Sequence, residues 1–146
     1  LGYRIDDGDS SLAYIPDHEP ALGADLDELE EDWISGFALA KDASLLIHDG
    51  QYTDAEYPCH LGWGHSAMSH ALSFARRTGA ERTALFHHDP LHSDDTLDAM
   101  GAEARGRWAE LGGDPAAVEL GQERNEYELP ARAPQTAAAA TPAATA

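Results

Sequence analysis

Two kinds of apolar pattern alternate along this chain. Tyr3-Arg4-Ile5 and Ser11-Leu12-Ala13-Tyr14-Ile15 flank an acidic, glycine-containing turn at Asp6-Asp7-Gly8-Asp9, which predicts a hairpin that Pro16 ends. Leu26, Leu29, Trp33, Phe37 and Ala40 then recur at steps of three or four and predict one helix. Its acids gather at the start and Lys41 lies near the end, as the helix dipole favours. Residues 43–48 form a short continuous apolar run, the mark of a strand covered on both faces, ending at Asp49-Gly50. A polar and aromatic loop leads to a second helix, with Ser66 as N-cap, Met68, Ala71, Leu72 and Ala75 as its stripe and Gly79 as its stop. Thr83-Ala84-Leu85-Phe86 is a further buried strand running into His87-His88-Asp89-Pro90. A third helix starts near Ser93 or Asp94, shows Leu97, Met100, Ala104, Trp108 and Leu111 on one face, and closes at Gly112-Gly113. Val118-Glu119-Leu120 and Tyr127-Glu128-Leu129 read as short final strands. The order ββαβαβαββ predicts a layered α/β architecture over residues 1–129. Beyond it, nine of the sixteen residues 131–146 are alanine, so 130–146 is expected to be a disordered Ala/Pro/Thr-rich tail.

Charge narrows the partners. Against 27 acids stand 9 bases, a formal net charge of −18. Such a field repels phosphate backbones and anionic membranes, so nucleic acid is not expected as a partner and a small phosphodiester or ester is. No apolar run reaches the roughly 18 residues of a membrane span. The single cysteine, Cys59, fits a reducing compartment, and no charged segment followed by an apolar one resembles a signal peptide; a cytoplasmic location is expected. The first residue is Leu1 and strand begins at once, so the chain is expected to start inside a folded unit.

The candidate chemistry collects at strand ends. Asp17 follows the first long strand, Asp49 ends the second and His87 follows the third, where open α/β sheets bind their ligands. His65, in Gly62-Trp63-Gly64-His65-Ser66, joins them from a helix start. Carboxylate and imidazole are ligands that a borderline divalent ion accepts. Each residue also has a plainer reading: Asp17 as a turn aspartate, Asp49 as a strand terminator, His87 as a rim histidine, His65 as a helix-start residue held by Trp63. His18, His48, His60 and His70 have no spacing that singles them out.

Read in order, three stretches resemble the C-terminal half of a metallo-β-lactamase-fold hydrolase, nearest to the ribonuclease Z and phosphoribosyl cyclic phosphodiesterase branch. They are Leu12-Ala13-Tyr14-Ile15-Pro16-Asp17, then Leu45-Leu46-Ile47-His48-Asp49-Gly50-Gln51-Tyr52 with Gly64-His65-Ser66, then Leu85-Phe86-His87-His88-Asp89-Pro90. The resemblance implies part of a four-layer αββα sandwich whose N-terminal half is absent. It implies Asp17 as a ligand bridging two divalent ions, zinc or manganese, and His87 as a terminal ligand. Asp49 and His65 would pair near the scissile group, with His65 helping to protonate the leaving oxygen or hold the phosphate. The intact parent would attack a phosphodiester or related ester through a metal-bridged hydroxide. Two departures matter: Asp49 stands where ribonuclease Z more often has glutamate, and no His-x-His occurs anywhere in the chain. The ions would therefore need ligands from the absent half, and this chain alone is expected to be inactive.

Three other readings compete: a lactone hydrolase of the same fold, a split enzyme completed by a second chain, and a non-catalytic acidic module that binds a protein. A half-domain would leave a sheet face uncovered and could pair with a second copy as a homodimer.

Overall fold

The computed structural model describes residues 1–129; the Ala/Pro/Thr-rich segment read as a disordered tail lies outside them. Five strands, β1 (Tyr3–Asp6), β2 (Ser11–Ile15), β3 (Leu45–Asp49), β4 (Thr83–Phe86) and β5 (Val118–Leu120), form one sheet whose spatial order equals their order in the chain. β1 pairs antiparallel with β2, and β2 to β5 run parallel. The registers Leu12↔Leu45 and Leu46↔Thr83 bring the C-terminal ends of β2, β3 and β4 to one edge. That edge is where Asp17, Asp49 and His87 emerge.

Helices α1 (Phe37–Ala40), α2 (Met68–Thr78) and α3 (Asp94–Glu110) make the crossovers. Successive crossovers that move one strand along in the same direction and share the usual right hand must lie on the same face. Accordingly α1 packs on α2 and α2 on α3. Between helices and sheet lies the core, with Ala13, Ile15, Leu46, Leu85 and Val118 meeting Phe37, Leu72, Phe74, Met100 and Trp108. The other face carries side chains of the alternate register, and they too are apolar: Leu12, Tyr14, Ile47 and Phe86 are half-buried, and Tyr3 and Ile5 are exposed. The described residues thus form two layers, one sheet and one helical, of the four the resemblance implies.

Three elements differ from expectation. The helix expected from residue 25 to 41 is two 3-10 turns, Leu26–Glu28 and Glu31–Trp33, followed by the single turn of α1. Gly36 interrupts it at φ +72°, and a Cβ there would lie 3.1 Å from His18 Nε2, so the chain bends where it packs on that imidazole. Trp33 consequently turns outward, 78% exposed, and Ile34 enters the core instead. Ser66 does not cap α2. Its N–H and hydroxyl serve Asp49 and His18, and Asp54 Oδ1 takes the Ser69 N–H of the first turn (3.1 Å). Tyr127-Glu128-Leu129 pairs with no strand, and the sheet ends at β5. By contrast Ser93 caps α3 through Thr96 N–H, and Gly79 ends α2 in the left-handed conformation, both as expected.

Candidate metal centre

At the sheet edge, Asp49 is the buried anchor. Its carboxylate is fully buried and accepts from every side: Oδ1 from Ser66 N–H (2.9 Å) and Gln51 N–H (3.1 Å), Oδ2 from His18 N–H (3.3 Å) and His65 Nδ1–H (2.6 Å). Burial pushes its carboxyl above the ordinary aspartate value, and the bonds from His65, Ser66 and Gln51 oppose that shift. An ionised carboxylate can only accept, so His65 donates through Nδ1 and keeps Nε2 for another partner.

The His65 ring lies parallel to that of His87, with centroids 4.9 Å apart and planes at 14°. His87 is a non-glycine residue at φ +62°, directly after β4, and this left-handed step swings its imidazole back over the strand ends. Its Nε2 lies 3.1 Å from Asp17 Oδ1. One donor atom from each of Asp17, His65 and His87 falls within 4.8 Å of the others, the one such group among the described residues. Two ligands of a tetrahedral zinc at bond lengths of about 2.0–2.1 Å lie about 3.3 Å apart, so the Asp17–His87 spacing suits joint coordination. Oxygen and imidazole nitrogen, with an outer carboxylate behind one imidazole, make a donor set that fits zinc or manganese. Three donors serve one ion; a second needs others.

The sequence singled out all four of these residues, and the fold brings them together. It passed over their supports. His18 and His48 form a buried pair, Nδ1 to Nε2 at 2.7 Å, and His48 Nδ1 donates to the Asp49 carbonyl (2.7 Å). Burial drives both imidazoles well below the usual histidine range, so they are neutral and support Asp49 through hydrogen bonds rather than charge. Glu19 reaches across to the loop before His65. Thr53 and Glu56 form a reciprocal capping box, with Glu56 Oε2 accepting from Thr53 N–H (2.9 Å) and Thr53 Oγ1 from Glu56 N–H (3.3 Å). Glu56 also takes His92 Nε2 (3.0 Å). That box was legible as Thr-x-x-Glu; the His18–His48 pair was signalled only by a histidine inside a run covered on both faces.

A family model described as the Beta-lactamase superfamily domain matches residues 1–88, more than half of the chain, and the chain belongs to that family. Among curated relatives, the Ribonuclease Z of Salinibacter ruber is 32% identical over 120 residues, 82% of this chain and 31% of that protein. The Ribonuclease Z of Gemmatimonas aurantiaca is 38% identical over 68 residues, 47% of this chain and 21% of its own length. Among solved structures, the short form of human tRNase Z aligns with a TM-score of 0.56 at 21% identity, over 88% of this chain and 37% of that one. YhfI of Bacillus subtilis, a metallo-beta-lactamase fold protein, aligns at 0.52 and 18%, over 82% and 40%. These likenesses show the metallo-β-lactamase fold expected from the sequence. The chain spans less than a third of the length of the curated relatives it matches.

The names of those relatives overturn one expectation. The charge of −18 argued against nucleic acid as a partner, yet the matched proteins are called ribonuclease Z and tRNase Z. Net charge sums the whole surface and carries no information about the local potential at the strand ends, which is what a substrate there would meet. Among the described residues no helix is long and apolar enough to cross a membrane.

Proposed function

We propose that this chain carries part of the active centre of a metal-dependent phosphodiester hydrolase, with RNA as the substrate class. The observation that carries the proposal is the convergence of Asp17, His65 and His87 at the strand ends, with buried Asp49 behind His65. Support for RNA comes from the relatives' names, and support for hydrolysis from membership of the family.

In this reading Asp17 and His87 hold a divalent ion, whose role when bound is to act as a Lewis acid toward the phosphodiester and to supply an activated water. Asp49 holds His65 through Nδ1 and raises the basicity of its ring, so that Nε2 can carry a proton. From there His65 passes a proton to the departing oxygen, the task of an imidazole held by a carboxylate. The uncovered apolar sheet face is where the rest of the αββα sandwich would pack and bring further ligands.

Two measurements test this. Zinc titration of the chain, followed by calorimetry, should show one site that His87→Ala abolishes. The intact polypeptide containing this chain should then cleave bis(p-nitrophenyl) phosphate and a short RNA with added zinc or manganese. Zinc binding indifferent to His87→Ala would sink the site, and hydrolysis of lactones but no phosphodiester would sink the reaction class.

A further inference from the structure

Two residues after Asp17, on the same loop, Glu19 makes three hydrogen bonds to the segment that delivers His65. Its Oε1 accepts from Tyr57 OH (2.6 Å) and Gly62 N–H (2.9 Å), and its Oε2 from Gly64 N–H (2.9 Å). Gly62 and Gly64 stand at φ +84° and +89°, and a Cβ on either would meet nothing within 4 Å. Lack of space therefore does not explain these glycines. Their left-handed backbone does, because it turns two N–H groups from alternate residues onto one carboxylate.

We infer that Glu19 is a positioning residue that sets where His65 stands relative to Asp17 and His87. His65 is thereby held twice, its ring by Asp49 and its backbone by Glu19 through Gly64. Asp17 and Glu19 lie on the same loop after β2, so a shift of that loop moves Asp17 and His65 together rather than apart. Without Glu19 the Gly62–Gly64 segment would retain only the contacts of its own turn, such as Trp63 N–H to the His60 carbonyl (3.0 Å). A displacement of about 1 Å there is enough to spoil a catalytic geometry. The inference rests on the site reading above but is measured independently of activity.

The test is imidazole NMR of the chain, without metal and on titration with zinc alone. Stacked rings shift each other's carbon-bound protons, so the metal-free protein should show displaced His65 and His87 signals. Glu19→Gln should lose that mutual displacement, and zinc should still move His87 while His65 no longer responds. Glu31→Gln, which removes an exposed carboxylate paired with Lys41 (2.9 Å) away from the strand ends, should leave both signals as in the parent chain. Should Glu19→Gln fail to fold, Glu19→Asp gives the second reading: it keeps the charge but shortens the reach to Gly62 and Gly64, so the His65 displacement should again be lost. His65 signals and zinc responses in both variants indistinguishable from the parent chain's would overturn the inference. Zinc that moves neither His65 nor His87 in the parent chain would instead overturn the metal reading, while the metal-free comparison still judges Glu19.

Discussion

Asp49 concentrates four hydrogen bonds on one side chain that water does not reach. Truncating it strands several buried donors at once, each costing about 1–3 kcal/mol when left unpaired. Asp49→Ala should therefore lower stability by about 3 kcal/mol or more, read from the urea midpoint, in addition to freeing the His65 ring. Glu56 offers a pH test away from the metal centre. Burial works to raise its carboxyl, but the Thr53 hydroxyl, His92 and Thr53 N–H outweigh it and bring it from 4.5 down to about 2. A depressed acid stabilises the fold above its unfolded pKa, and that contribution is lost as pH falls through the folded one. The stability difference between the parent chain and Glu56→Gln should thus shrink as pH falls from 4.5 to 2, by thermal melts across that range. The pair is partly exposed, so the difference itself should be small. At this scale the sequence was legible where a residue sits at a strand end, because periodicity alone locates strand ends. Glu19, His18 and His48 act across 30 or more positions of chain, and no local pattern encodes such contacts.

Among the elements, strands were read nearly residue for residue, since a short run of Leu, Ile and Ala covered on both faces has few other uses. The failure lay between residues 25 and 41, where apolar spacing suited a helix but Gly36 and a row of acids did not sustain one. Periodicity reports which residues face inward on average, and 3-10 turns at similar spacing satisfy most of the same positions: Leu26, Phe37 and Ala40 are buried in either geometry. Trp33 and Ile34 separate the two. In the observed fold Ile34→Ala should cost about 2–4 kcal/mol and Trp33→Ala no more than about 0.5 kcal/mol, in chemical denaturation. A continuous helix would reverse that order. Tyr127-Glu128-Leu129 was misread for the opposite reason, since three residues carry too little pattern to distinguish a strand from an extended loop.

For the whole molecule, the decisive feature is the sheet face that no helix covers among the described residues. Tyr3 is 54% and Ile5 63% exposed, beside half-buried Leu12, Tyr14, Ile47 and Phe86. A contiguous apolar face of this kind binds something, and in isolation the simplest partner is another copy. The chain should elute from size-exclusion chromatography larger than a monomer, and Ile5→Lys should shift it toward monomer without unfolding it. A monodisperse monomer would favour the acidic module that needs no covering half. Membership of the family and the fold were legible from the order of three short motifs, because order and spacing together are more specific than any one of them. The class of partner was not, because a summed charge carries no information about where on the surface the charge lies.

The left-handed backbone at His87 has an evolutionary consequence. An L-residue in that region gives up about 1–2 kcal/mol that glycine, and in part asparagine, would recover. Chance mutation should repeatedly find substitutions there that leave the protein sturdier. His87→Asn is expected to melt no lower than the parent chain, by differential scanning calorimetry, while binding no zinc. Selection for robustness alone would thus erode the site, and a histidine persists at such a position only while its use outweighs its strain.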